Sequence, residues 1–152
     1  MRKQSLIALG LLLPLLLLPL AARAQSPVSR EEMRELVNAA RLANDVGVLA
    51  WNKQLAEAAQ RHAEDLATRG DAGHSGSGEP TPEERAVQAG YGTYPGAVRI
   101  GENRAVGTAL EAVAFFLADE IHRESLLRPA WREVGVGYAT RADGQELWVV
   151  LF

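Results

Sequence analysis

Residues 134–152 constrain the fold more than any other part of the chain. Val134, Val136 and Tyr138 alternate with Gly135 and Gly137, the period-two pattern of a strand. The two glycines leave room for another backbone to approach closely. Ala142-Asp143-Gly144 supplies turn chemistry, and Leu147 to Phe152 is an almost unbroken apolar run. Together they predict a β-hairpin that closes the domain.

Everything ahead of this hairpin reads mainly as helix. Ser29-Arg30-Glu31-Glu32 is a capping box, and Met33, Leu36, Val37 and Ala40 then form one apolar stripe before Gly47. Asn52 is the expected N-cap of a second helix, where Leu55, Ala59, His62 and Leu66 share a face and Gly70 closes the end. Residues 70–82 change texture to Gly, Ser, Asp and Pro, which predicts a shaped loop. Thr81-Pro82-Glu83-Glu84 is a further capping box with proline at N1, opening a short helix to about Ala89. Ala97–Asn103 is the expected short strand. A third substantial helix opens at Thr108–Glu111, carries Leu110, Val113, Phe116 and Leu117, and is stopped at the latest by Pro129. Helices first and strands mostly later, without alternation, predict an α+β domain rather than a doubly wound sheet.

The first residues carry an address rather than a fold. Arg2 and Lys3 precede an apolar stretch from Leu6 to Ala22, and Ala22-Arg23-Ala24 has the small-x-small pattern of a signal peptidase site. Gly10, Pro14 and Pro19 interrupt the stretch, which falls short of the ~20 residues of a spanning helix. The expectation is a signal peptide over 1–24, one domain over 25–152, and export to the periplasm or the medium with no membrane span after cleavage. Losing Arg2, Lys3 and Arg23 leaves 13 basic against 19 acidic side chains, a formal charge of −6. Such a surface argues against nucleic acid or anionic lipid as the main partner, since both reward clustered Lys and Arg. The chain contains no cysteine, hence neither a disulfide nor the attachment point of a lipid anchor.

Several short motifs follow one another in a telling order: His74-Ser75-Gly76, Ala89-Gly90-Tyr91, Gly101-Glu102-Asn103, His122-Arg123 with Leu126-Leu127 and Pro129, and Gly135-Val136-Gly137-Tyr138. Asn38 and Arg41 on the first helix, with Leu49 and Trp51 after it, extend the series. In this series the chain resembles the CAP superfamily of SCP-like extracellular proteins, in its bacterial, cysteine-free branch. The resemblance implies a three-layer α-β-α sandwich and a surface cleft lined by two histidines and two acids. Carried over by motif, these are His74, Glu102, Asp119 and His122. Asp119 lies three residues after Phe116, where the family usually has tryptophan. That position is glutamate in many eukaryotic members and often serine in bacterial relatives.

Read from the residues alone, Asp119 and His122 are i, i+3 on one helix face, a spacing that can serve a divalent metal but more often marks a solvated surface pair. With the resemblance, His74 and His122 become candidate ligands for zinc or another divalent cation. His62, on the apolar stripe of its helix, reads as a satisfied core histidine. Glu102 can equally pin a loop through backbone N–H groups, and Arg123 can hold a carboxylate near Pro129. Trp51, Trp131 and Trp148 read as core or rim packing. No His-Glu-x-x-His, Gly-x-Ser-x-Gly or phosphate-binding glycine loop occurs. The leading expectation is a module binding a small ligand, lipid or cell-envelope component in the cleft, with an optional metal. A hydrolase of envelope glycan or peptide using Glu102 is the alternative, and a purely structural tetrad the third reading.

Overall fold

The computed structural model describes residues 30–69 and 80–152. The signal segment, Ser29 and His74 lie outside the described residues. The elements run α1 (Arg30–Leu42), β1 (Ala50–Trp51), α2 (Lys53–Arg69), α3 (Pro82–Gln88), β2 (Glu102–Val106), α4 (Ala109–Ala118), α5 (Glu120–Leu126), β3 (Glu133–Thr140) and β4 (Glu146–Leu151). One sheet, in the order β1-β3-β4-β2, separates α1, α4 and α5 on one face from α2 and α3 on the other. β1 pairs parallel with β3, while β3–β4 and β4–β2 are antiparallel. This is the three-layer α-β-α sandwich.

The predicted hairpin is the centre of that sandwich. Trp148, Val150 and Phe152 point from β4 into the α1/α4/α5 core, and Leu147, Val149 and Leu151 into the α2/α3 core. A strand buried on both faces needs apolar residues at every position, which explains the unbroken run. On β3, Val134 and Val136 fill the first core, whereas Gly135 and Gly137 face α2. A methyl on Gly137 would sit 2.1 Å from the Ala59 carbonyl oxygen, and one on Gly135 2.1 Å from the Ala56 nitrogen. The helix therefore rests directly on the strand backbone. Gln60 seals the contact, donating to the Tyr138 carbonyl at 2.8 Å and accepting from the Tyr138 N–H at 3.1 Å.

The helix starts follow their caps. The Asn52 side chain accepts from Leu55 N–H at 3.0 Å, and both Thr81/Glu84 and Thr108/Glu111 form reciprocal capping boxes. Met33, Val37 and Ala40 are buried as their spacing predicts, and so are Leu55, Ala59, His62 and Leu66. Three expectations need correction. The strand expected over Ala97–Asn103 begins only at Glu102, because Pro95–Ala97 makes a 3-10 turn and residues 98–101 are irregular. On α4 the buried positions are Ala109, Ala112, Val113 and Phe116, while Leu110 is 67% exposed. The helix also breaks at Asp119, whose extended backbone (φ −87°, ψ 128°) ends α4 and caps α5.

Arg41 and Asn38 fasten the loops that leave this framework. Asn38 brackets Leu49, accepting from its N–H at 2.8 Å and donating to its carbonyl at 3.1 Å. Fully buried Arg41 donates to the carbonyls of Gly47 (2.8 Å), Leu126 (2.7 Å) and Arg128 (3.2 Å). It thus joins the exit of α1 to the exit of α5. Arg123, expected to hold a carboxylate here, instead reaches the Asn44 side-chain oxygen at 3.4 Å. Of the tryptophans, Trp148 is core, Trp131 packs against the core and donates to the Ser125 carbonyl, and Trp51 is 37% exposed.

Candidate functional site

The break at Asp119 creates the clearest polar pair of the site. Its carboxylate oxygen Oδ1 accepts from the His122 backbone N–H at 3.1 Å and lies 2.7 Å from His122 Nδ1. The pair arises from N-capping, not from two residues on one continuous helix face. The His122 ring stacks on Phe116 (centroids 5.8 Å apart, 20° between planes) and lies 4.9 Å from the Phe115 ring. Nδ1 is committed to Asp119, so any ligand contact by this ring is through Nε2. The backbone hydrogen bond from His122, followed by the side-chain bond, holds the Asp119 carboxyl below the ordinary aspartate value.

That lowered value sets the sign of a pH effect. The stabilisation from the pair is fully present above the ordinary aspartate range and is lost as pH falls through the depressed folded-state value. Asp119→Asn keeps a capping oxygen but removes the charge. The melting temperature of the wild type should exceed that of Asp119→Asn at pH 6, and the gap should close from about pH 4 downward. A gap unchanged at pH 2 would show that the charge does not matter.

Glu102 sits on β2 with different neighbours. Strand alternation sends Glu102, Arg104 and Val106 toward the α2/α3 layer and Asn103 and Ala105 toward α4 and α5. The Glu102 carboxylate pairs with Arg85 of α3, and its Oε1 lies 3.6 Å from Arg104 Nε and 3.8 Å from His62 Nε2. Among the described residues its partners are thus charged side chains rather than backbone N–H groups. Asn103, fully buried, donates to the His122 carbonyl at 2.8 Å and ties α5 to the edge strand.

Asp119 and His122 are therefore brought together. Glu102 stands on the other face of the same edge strand, and His74 lies outside the described residues. Among the described residues no three of His, Asp and Glu are grouped to hold a metal ion. His62 is a core histidine as expected, with the added role of neighbour to Glu102. Sequence reasoning missed Arg85, Arg104 and Phe115. The signal for Arg104 was its i, i+2 relation to Glu102, which places both on one strand face; no comparable signal marked Arg85.

Beside β2 lies a cavity of about 600 Å³, lined by Leu66 of α2, residues Arg104–Gly107, Glu111 and Phe115 of α4, and Gln145 and Leu147 near the hairpin turn. Phe115 is shared between this cavity and the His122 ring. β2 is an edge strand, so side chains from both helix layers can meet around it.

Layer order, sheet order and an edge strand opening with Gly101-Glu102-Asn103 define an SCP-like sandwich with its polar residues at the sheet edge. The chain belongs to the cysteine-rich secretory protein (CAP) family, whose profile matches residues 34–152. Solved structures similar in fold include an outer surface protein of Borrelia burgdorferi, at 20% identity and TM-score 0.70, covering 80% of this chain and 89% of that one. An SCP-domain extracellular protein of Bacillus anthracis matches at 24% identity and TM-score 0.63, covering 80% and 39%. A cysteine-rich secretory protein of Staphylococcus aureus matches at 19% identity and TM-score 0.59, covering 85% and 40%. The chain thus spans about two-fifths of the last two proteins. No match was found among curated proteins.

Proposed function

We propose that the protein is an exported ligand-binding module whose cleft runs along β2, between the Asp119–His122 pair and Leu66. The observation that carries this reading is the cavity of about 600 Å³, walled by Leu66, Val106, Phe115 and Leu147 with charged side chains at its margin. Its size and mixed lining are those of a binding pocket. Export is supported by the apolar N-terminal segment and by relatives described as outer-surface and extracellular proteins. No helix among the described residues is long and apolar enough to cross a membrane.

The optional cation belongs to this proposal only through His74. The described residues do not by themselves fit a metal: Glu102 is held by Arg85 and Arg104, and Asp119 by His122. A divalent ion such as zinc would need His74 beside His122 Nε2. Calorimetric titration of zinc into the mature protein checks this point. Heat and a raised melting temperature, both abolished in the His74→Ala/His122→Ala double variant, are expected if the ion binds; no heat removes the metal from the proposal.

The cleft itself is tested with two probes, soluble peptidoglycan fragments and vesicles of zwitterionic phosphatidylcholine, the net acidic surface having argued against an anionic lipid. Saturable binding of at least one is expected, weakened at least tenfold by Phe115→Asp with the circular dichroism spectrum unchanged, a loss of about 1.4 kcal/mol. Phe115 is 46% exposed, so the change should leave the core intact. Binding of neither probe, or binding indifferent to Phe115, would overturn the reading.

A further inference from the structure

The register of β2 leaves one side of its backbone turned outward. Gly101 and Phe152 exchange both backbone hydrogen bonds (3.2 and 2.9 Å), and Gly107 N–H donates to the Glu146 carbonyl at 2.9 Å. Between them Asn103 faces Val150 and Ala105 faces Trp148. In an antiparallel ladder these alternate positions are the hydrogen-bonded ones. The N–H and C=O groups of Glu102, Arg104 and Val106 therefore point away from β4. Those of Val106 make no hydrogen bond to any described residue.

This outward edge is recessed. Leu66, itself almost fully buried, lines the floor from the α2 layer, and Glu111 and Phe115 line the side from α4, so both helix layers border the same cavity along residues 104–107. An open sheet edge is a template for another strand, and a walled edge restricts what can use it. A second copy of this domain would bring its own α2 and α4 walls to the same place, and two recessed edges cannot meet. A single extended chain fits the slot. Its alternate side chains would fall against Leu66 and Val106 on one side and Phe115 on the other.

We propose that β2 takes an extended peptide as a fifth strand, its backbone bonded to Val106 and Glu102 and its apolar side chains seated between Leu66 and Phe115. Strand addition draws affinity from main-chain hydrogen bonds and specificity from alternate side-chain pockets. The inference rests on the ligand-binding reading above and gives its cleft a substrate class.

The test uses the mature full-length protein and a positional-scanning library of acetylated, amidated hexapeptides, a length of about 20 Å when extended. The best hexapeptide, fluorescein-labelled, is titrated by anisotropy and then resynthesised with each amide N-methylated in turn. Strand addition predicts a period-two result: methylation at every second amide weakens binding roughly tenfold, and the intervening ones do not. Val106→Pro, which removes an outward N–H and no ladder bond, should weaken binding to a similar degree. If that variant unfolds, the N-methyl scan on the wild type decides alone. A flat scan, or no hexapeptide binding at concentrations up to about 1 mM, would overturn the proposal. So would a dimer in sedimentation that Val106→Pro dissolves, since it would give the edge to a second copy. Binding of peptidoglycan fragments or vesicles without peptide binding would sink this inference and leave the ligand-binding reading standing.

Discussion

Replacing Gly137 with alanine should destabilise the protein by about 3 kcal/mol or more, the upper end for overpacking a core. The new methyl would meet the Ala59 carbonyl oxygen at 2.1 Å, the Ala59 carbonyl carbon at 2.2 Å and the Gln60 nitrogen at 2.5 Å. All three are main-chain atoms of α2, so no rotamer change relieves the clash. The helix must lift from the sheet, and lifting it breaks the paired hydrogen bonds between Gln60 and Tyr138. Urea denaturation followed by tryptophan fluorescence measures the loss. Gly144→Ala is the control: Gly144 has φ +82° with nothing within 4 Å of an added methyl, so only backbone strain of about 1 kcal/mol is expected. Equal losses in the two variants would mean that close helix–strand contact is not what requires Gly137.

Arg41→Met should cost about 3 kcal/mol, one lost buried hydrogen bond at about 1 kcal/mol for each of three carbonyls. Methionine approximates the stem of arginine and keeps most of its packing, so the loss reports the guanidinium. Arg41 has no ion pair with any described carboxylate. Its charge is solvated by the carbonyls of Gly47, Leu126 and Arg128, two of which belong to the end of α5 and the turn after it. Burial, and then the nearby Arg132 charge, lower its pKa from the ordinary arginine value, and a guanidinium stays charged even so. Arg41→Lys should recover less than half the loss, because one ammonium cannot serve three diverging acceptors as a planar fork does. Thermal unfolding monitored by circular dichroism tests both variants, with a drop on the order of 10 °C expected for methionine. Full stability in Arg41→Met would show that solvent replaces the lost donors.

Much of the fold was legible because local rules carried it. The Asn52 cap and the Thr81 capping box placed the starts of α2 and α3, and α4 opens at Thr108, where the sequence predicts a helix start. The glycine alternation of β3 announced a close backbone neighbour, although not that α2 would be that neighbour. What failed locally failed for a tertiary reason. Leu110 looked like part of an apolar stripe, yet small Ala109 and Ala112 face the core. The helix through Asp119 looked continuous because neither glycine nor proline interrupts residues 109–128, yet Asp119 turns extended and caps the next segment.

The candidate site divides along the same line. The sequence determined which residues could carry polar chemistry, since Glu102, Asp119 and His122 stand in recognisable motifs and their side-chain chemistry is intrinsic. It also determined that the hairpin would be buried, because every position from Leu147 to Phe152 is apolar. Only the tertiary structure decided the partners. Asp119 meets His122 through a cap, Glu102 meets Arg85 from a helix 17 residues away in sequence, and the outward edge of β2 lies between walls from two helix layers. The physical reason is that motifs are local, whereas a binding slot is made of surfaces that come together only when the sheet and both helix layers have packed.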